Sequence, residues 1–217
     1  YTAVLTEDGK VRAWGSFNFS SNTAEWEDIV SISAESMLLG LRRNGTVVAI
    51  TAHPNYQALP PANLNGVVDI SSGLEVASAL RADGSVALWG YSKADASLLA
   101  VPSNLGFISD IEAGNASFLY ENENGIVSVV GSTGYLCDPI NTKAASTSNP
   151  LKLVNHSNFA SLIDRDGNLV GNFNGSSTYS STKNIIDSAN GWTHSIVLVR
   201  ESKVVLEGFP DARLIIT

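Results

Sequence analysis

The stretch "GVVDISSGLEVASALRADGSVALWG", residues 66–90, decides the fold of this 217-residue chain. It holds three short apolar runs, the first two separated by a loop of small residues and the last two by the pair Asp83-Gly84. Asp and Gly both tolerate the positive φ of tight turns, so an Asx-Gly pair between apolar runs is typical of a β-hairpin. The stretch therefore predicts three short strands that pair in sequence.

The same pattern recurs along the chain. Clear copies begin at Asp28 and Phe107, weaker copies begin at Leu151 and Asn184, and a partial copy, "YTAVLTEDGKVRAWG", begins at Tyr1. The turns of the copies are Asp8-Gly9, Asn44-Gly45, Asp83-Gly84, Asn124-Gly125, Asp166-Gly167 and, without a glycine, Glu201-Ser202-Lys203. Successive turns lie 36, 39, 41, 42 and 36 residues apart. Six turns at a spacing near 40 predict an all-β fold, a six-bladed β-propeller with four-stranded antiparallel blades.

We expect one propeller domain over residues 1–217. The first copy lacks its leading strand, and "DARLIIT" at residues 211–217 resembles it. The first blade is therefore expected to combine 211–217 with 1–15, which closes the ring and removes an open sheet edge. Further blades are expected near 28–50, 66–90, 107–131, 151–173 and 184–208. Because the chain starts in mid-pattern, we expect a processed product or an excised domain.

Composition excludes several kinds of partner. The net charge is −8, and the thirteen Lys and Arg residues are scattered rather than clustered. Nucleic acids and anionic membrane surfaces need clustered cations, so neither is expected as a partner. The apolar runs are too short to span a bilayer, and membrane insertion is not expected. A single cysteine, Cys137, excludes an internal disulfide and a cysteine-based metal site.

The repeat resembles the regulator of chromosome condensation family, and most closely its secreted bacterial members, which include a β-lactamase inhibitor protein. The pieces that carry the resemblance are "VVDISSG", "ALRADGSVALWG", "GWTHSIVL" and "YTAVLTEDGKVRAWG", together with the linkers "LPPANLNG" and "AVPSNLG". Tryptophan-aspartate repeats match less well, because Trp14 and Trp89 precede glycine. The family implies seven blades where the turns give six. Its His-Ser pair survives only at His194-Ser195, where the resemblance implies a structural imidazole.

No set of residues in the sequence forms a catalytic constellation. His53, His156 and His194 lie in different copies, and the calcium-like "DRDGN" from Asp164 coincides with the repeat's own turn. We expect no enzyme activity, no cofactor and no metal.

Binding is expected through loops at one mouth of the ring. The resemblance points to the loop after the first strand of each copy. Its candidate residues are Tyr1, Met37, Glu75, Asn115, Asn158, Phe159, Trp192 and Thr193. Aromatic anchors on a polar background suit protein hot spots and sugar stacking alike. Trp192 packed inside the central channel is an equal alternative. The opposite loops also carry aromatics, Trp26 among them, which serve recognition or pack on the outer strands.

The sequence thus favours a non-catalytic recognition module, secreted or displayed on the cell surface, that binds a protein or glycan. An adhesin tip within a larger multidomain surface protein is one form of it. The alternative is a soluble inhibitor of an enzyme such as a β-lactamase. An exchange factor for a small GTPase is less favoured, because the chain is small and acidic and carries no recognisable wedge segment.

Overall fold

The computed structural model describes residues 1–15, 23–51, 59–74, 76–90, 101, 103–114, 117–131, 150–156, 159–171, 183–190, 194–200 and 203–208. All regular structure in these residues is β-strand, which confirms the all-β prediction. Accordingly, none of them belongs to a helix able to cross a membrane. Residues 211–217, which the sequence assigns to ring closure, lie outside the described part of the chain.

Six separate antiparallel sheets are formed by the described residues. Sheet 1 contains β1 (Thr2–Leu5) and β2 (Val11–Trp14). Sheets 2 and 3 contain β3 (Ile29–Ala34), β4 (Met37–Arg42) and β5 (Val47–Thr51), then β6 (Val67–Ser72), β7 (Val76–Arg81) and β8 (Val86–Gly90). Sheets 4 and 5 contain β9 (Ile108–Ala113), β10 (Ser117–Asn122) and β11 (Val127–Gly131), then β12 (Lys152–His156), β13 (Phe159–Ile163) and β14 (Leu169–Gly171). Sheet 6 contains β15 (Ile185–Asn190), β16 (His194–Val199) and β17 (Lys203–Gly208).

Sheets 2 to 6 have the three-strand form predicted from the repeat, with the second strand in the middle. The described residues add no fourth strand to any of them, and the segments between sheets lie largely outside those residues. In middle strands such as β4 ("MLLGLR") and β7 ("VASALR"), every residue except the last is buried. A strand covered on both faces needs a continuous run of apolar or small residues rather than alternation, as these sequences show.

The core lies between successive sheets. Leu39, Val67 and Trp89 belong to one cluster that joins sheets 2 and 3, and Leu119 and Leu153 join sheets 4 and 5 in another. Stacked layers of this kind require each sheet to bury both faces.

Trp26, one of the aromatics noted in the linkers, packs into this core. It is buried between sheets 1 and 2. A Cβ on Gly40 would lie 2.8 Å from its ring, so the glycine in the middle of β4 makes room for the indole.

The Asx-Gly turns share one geometry. In the first, the amide of Gly9 donates to the carbonyl of Thr6 at 2.9 Å and the amide of Thr6 donates to that of Lys10 at 2.9 Å. The turn glycine has a φ of 75° here, and its counterparts have values of 72–78°. This is a three-residue hairpin with glycine in the left-handed region. Among described non-glycine residues only Asp28 and Asn184 have positive φ, and neither lies in an Asx-Gly turn. In the turns the glycine alone adopts positive φ, although the Asx residue could also have done so.

Four of the five Asx-Gly turns, all except Asn124-Gly125, also bond to the next sheet. The carbonyl of Gly9 accepts the amide of Ile29 at 3.1 Å, where β3 begins. The same bond joins Gly45 to Val67, Gly84 to Ile108 and Gly167 to Ile185, at 3.0–3.1 Å. The turn end of one sheet therefore fixes the starting point of the first strand in the next.

Candidate functional site

The first strands of sheets 2 to 6 lie side by side. β3 contacts β6, β6 contacts β9, β9 contacts β12, and β12 contacts β15. Residues at one register of the repeat consequently form rows that cross the sheets. Two of these rows, near the end of the sheets that carries the Asx-Gly turns (the turn end), have the features of a binding surface.

Four of the five residues of the first row are inserted as β-bulges. In sheet 2, Ile29 pairs with Arg42 and Ser31 pairs with Leu41, which leaves Val30 as the extra residue. Comparable register shifts occur in sheets 3, 4 and 6, and Leu151 holds the equivalent place just before β12. Bulges re-aim side chains and are frequent beside functional sites. The bulge row comprises Val30, Val68, Ser109, Leu151 and Ile186.

Four of the five bulge-row residues are large hydrophobics, and all four are exposed. Their exposed fractions are 41% for Val30, 54% for Val68, 49% for Leu151 and 41% for Ile186. Phe107, just before β9 at the same end of its sheet, is 45% exposed. Isolated surface hydrophobics are common in proteins, but recurrence at one register in successive repeats marks a shared surface.

An open depression of about 520 Å³ adjoins this row beside Val30. Its walls include Glu7 and Asp8 of the first turn, together with Asp28 and Arg43. The apolar row is therefore bordered by charged residues, as is usual at the rim of a protein interface.

The second row follows the first by one residue and is charged. We call Asp69, Asp110, Lys152 and Asp187 the charged row; Ser31 occupies this register in sheet 2. Each aspartate accepts the backbone amide of the residue after it, at 2.7–2.9 Å. These carboxylates thus partner backbone groups beside the bulges, where the ladder is interrupted.

The charged row also links one sheet to the next. The backbone amide of Leu153 in β12 lowers the pKa of Asp110 in β9. Lys152 in β12 forms an ion pair with Asp187 in β15. Groups of this row therefore interact with those of the neighbouring sheet.

Burial raises the pKa of two aspartates in this row. Desolvation raises the pKa of Asp110 to about 6, and the negative charge of Asp69 adds to the rise while Lys152 opposes it. Desolvation also raises the pKa of Asp69. Both carboxylates would gain from a nearby cation, because a positive charge favours the ionised form.

Burial favours the protonated form of Glu112, which lies two residues beyond Asp110 in β9. Desolvation, together with the charges of Asp110 and Asp69, raises its pKa to about 8, and the hydrogen bond from Ser71 and the charge of Lys152 oppose the rise. The hydroxyl of Ser71 in β6 donates to Oε2 of Glu112 at 2.5 Å and accepts the amide of Ala113 at 2.9 Å. Ser71 is therefore a bridge between sheets 3 and 4.

Ser71 is not available as a nucleophile. The Ser71 hydroxyl is buried and already bonded on both sides, so it is not presented to a substrate. Within the described ranges, no three His, Cys, Asp or Glu residues are grouped to hold a metal ion.

The structure places only some of the residues predicted from sequence. Tyr1 is half-buried against the cluster between sheets 1 and 2, and burial together with the charge of Glu35 raises the pKa of its hydroxyl. Met37, expected in an accessible loop, is instead the first residue of β4 and 1% exposed, because the apolar middle strand extends to it. Phe159 begins β13, where it pairs with His156. The remaining candidates lie outside the described residues: Glu75, Asn115, Asn158, Trp192 and Thr193.

The loops at the opposite end bond to one another. The hydroxyl of Ser36 donates to the carbonyls of Gly73, at 3.1 Å, and of Leu74. The amide of Leu74 donates to the carbonyl of Gly114 at 3.2 Å. A Cβ on Gly73 would lie 1.8 Å from that carbonyl oxygen, so only glycine fits. These described loop residues hold neighbouring sheets together by hydrogen bonds.

Neither row was predicted from the sequence, although the sequence contains an indication of the charged row. Aspartate is depleted in strands, yet it stands third in "VVDIS", "ISDIE" and "IIDSA". An aspartate at one register of three copies indicates a specific bond, here to the next amide.

Comparison with known proteins supports the fold. No protein-family model matches the sequence. No curated protein matches it either. Among solved structures, the CRINKLY WD40 ectodomain of the Arabidopsis thaliana receptor kinase ACR4 aligns with a TM-score of 0.74 at 14% identity, over 97% of this chain and 81% of that one.

Two further neighbours are propellers of the regulator of chromosome condensation family. Human WBSCR16 has a TM-score of 0.64 at 16% identity, over 85% of this chain and 64% of its own. Saccharomyces cerevisiae Prp20p has a TM-score of 0.61 at 13% identity, over 83% of this chain and 58% of its own. This chain thus spans less than two thirds of the length of either. At such low identity these similarities show the β-propeller fold alone.

Proposed function

We propose that this chain is a non-catalytic recognition module that binds another protein at the turn end of its sheets. The bulge row is the observation that carries the proposal, because four exposed hydrophobic side chains recur there at one register. Exposed apolar groups grouped on one surface, with charged groups around them, are characteristic of protein-binding surfaces.

The proposal includes a closed six-bladed ring, completed by residues 211–217 beside 1–15. The contacts of β1 with β3 and of each first strand with the next put the sheets in chain order, as a ring requires. A closed ring holds the bulge row rigidly, and a preorganised surface loses little entropy on binding.

A protein is favoured over a glycan as the partner, since the large side chains of the bulge row are all aliphatic and sugars bind by stacking on aromatic rings. Prp20p, one of the structural neighbours, is described with its binding to Gsp1p and histones. We place the protein outside the cell or on its surface, following the resemblance to secreted bacterial members. Protease treatment of intact cells tests this location, because an exposed domain is degraded while a cytoplasmic marker survives.

The test of function is to screen the purified 217-residue chain against a displayed library of protein fragments and a glycan array. We expect saturable binding to protein fragments that the variant Val68→Thr weakens at least tenfold. The matched control Val4→Thr changes another exposed valine, on β1, and should leave binding unchanged. Binding to glycans only, or to neither set, would contradict the proposal.

An enzyme inhibitor is a special case of the same proposal, since an inhibitor also binds a protein. Inhibition of a purified β-lactamase by nanomolar chain would identify this case. Turnover of a general ester or glycoside substrate by the chain would instead refute the non-catalytic assignment.

A further inference from the structure

Resting on the proposed function, we infer that the turn end takes a polypeptide segment that presents one lysine or arginine between apolar side chains. The bulge row and the charged row together define this partner chemistry.

The apolar part of the site is the bulge row. Val30, Val68, Leu151 and Ile186 occupy the same register on β3, on β6, just before β12 and on β15. Their strands neighbour one another through β9, where Ser109 takes this register. Covering the exposed part of several such aliphatic side chains favours binding of a segment that carries apolar residues.

The cationic preference comes from the charged row, one residue further along the same strands. It holds three aspartates against one lysine. Lys152 is already paired with Asp187, and among described residues neither Asp69 nor Asp110 takes part in a salt bridge. A partner cation would therefore meet two carboxylates whose charge is not yet balanced by an ion pair with a described residue.

Burial makes these carboxylates responsive to a cation. Desolvation raises the pKa values of Asp69 and Asp110, and each raises that of Glu112. A positive charge beside them relieves this repulsion, and an acidic partner would increase it. Lysine and arginine fit both rows at once, because an apolar stem carries the charged group.

The experiment uses three displayed nonapeptide libraries with random flanks and a fixed central arginine, glutamine or glutamate. Selection with the intact chain should enrich the arginine library, with apolar residues on both sides of the centre. Fluorescein-labelled peptides from the enriched set then give dissociation constants by polarisation. Replacing the central arginine with glutamine should weaken binding at least tenfold, and raising NaCl from 50 to 500 mM should weaken it as well.

Two variants separate the rows, each with a matched control. Val30→Thr/Val68→Thr keeps β-branched shape while removing apolar surface, and Val4→Thr is its control. Asp69→Asn keeps an oxygen for the Ile70 amide while removing charge, and Glu123→Gln, in an exposed turn, is its control. We expect at least tenfold weaker peptide binding for each test variant and no change for the controls.

Several outcomes would overturn the inference. One is equal binding of peptides with arginine and glutamine centres, and another is binding indifferent to both test variants. A third is sedimentation showing self-association that Val30→Thr/Val68→Thr abolishes, because the occupant would then be a second copy. If protein fragments bind elsewhere on the chain, the proposed function stands and only this inference fails. If no peptide or protein fragment binds at all, both fail.

Discussion

Glu112 lies in β9 with its carboxyl group against the hydroxyl of Ser71 in the neighbouring sheet, and burial there favours the protonated form. Burial raises the pKa of this carboxyl group to about 8 in the folded chain, from an ordinary value of 4.5. A raised pKa means that the folded state keeps a proton that the unfolded state releases. The stability it contributes is complete below pH 4.5 and is lost as the pH rises towards 8.

We therefore predict that the free energy of unfolding falls between pH 5 and pH 8. Glu112→Gln keeps an acceptor for Ser71 but cannot ionise, so it should flatten this fall by about 2–4 kcal/mol. Urea denaturation at pH 5 and pH 8 measures the difference. Part of the fall between pH 5 and 6 should remain in the variant, because the pKa of Asp110 is also raised, to about 6.

The control for this prediction is Glu123→Gln, which removes a charge from an exposed turn residue. It should leave the pH dependence as in the parent chain. An unchanged slope in Glu112→Gln would show that Glu112 does not retain its proton in the folded state.

Among the elements, the Asx-Gly turns have two roles, reversing the chain and starting the next sheet. Gly167 has a φ of 72°, and its carbonyl accepts the amide of Ile185 at 3.0 Å. A Cβ there would lie 2.8 Å from the Cα of Asn184, a backbone atom that cannot turn aside. Gly66 has a similar φ of 65° but nothing within 4 Å of a Cβ.

We predict that Gly167→Ala destabilises the chain more than Gly66→Ala. Both variants carry the cost of a left-handed alanine, about 1–2 kcal/mol. Gly167→Ala adds an overpacking cost of about 1–3 kcal/mol, because sheets 5 and 6 must separate locally. The midpoints of urea denaturation measure this difference. Equal midpoints would mean that the turn does not hold the next sheet in place.

The strands and turns of each copy could be predicted from sequence because their signals are local. Apolar runs and pairs such as Asp83-Gly84 depend on neighbouring residues alone. The bulges could not be predicted in this way. "VVDIS" shows an unusual aspartate, but the extra residue Val68 emerges only when Val67 pairs with Arg81 and Asp69 pairs with Leu80.

Burial was predicted less well at the ends of strands. Met37 was expected in a loop because it follows the short segment between two strands. It is covered because the middle strand of sheet 2 lies between neighbouring sheets, which is a property of tertiary packing. Because burial depends on tertiary packing, the site was predicted in the loops. The exposed hydrophobic residues that recur at one register lie instead at the start of the first strands.

On the scale of the whole molecule, sheet 1 differs from the other five. Only β1 and β2 are described in it, whereas each other sheet has three strands. A two-stranded sheet is marginally stable by itself, and its open edge invites pairing with another chain. The proposed ring supplies the missing strand from residues 211–217.

We predict that replacing residues 211–217 with a Gly/Ser segment of equal length lowers the thermal midpoint by about 5 °C or more, because sheet 1 loses a paired strand. The variant should also self-associate through the edge exposed beside β1, which sedimentation would detect. A synthetic peptide of sequence "DARLIIT", added in excess, should restore the midpoint by occupying that edge, and a scrambled peptide of the same composition should not. A variant with an unchanged midpoint and no self-association would contradict closure by this segment, and the sheets would then form an open row.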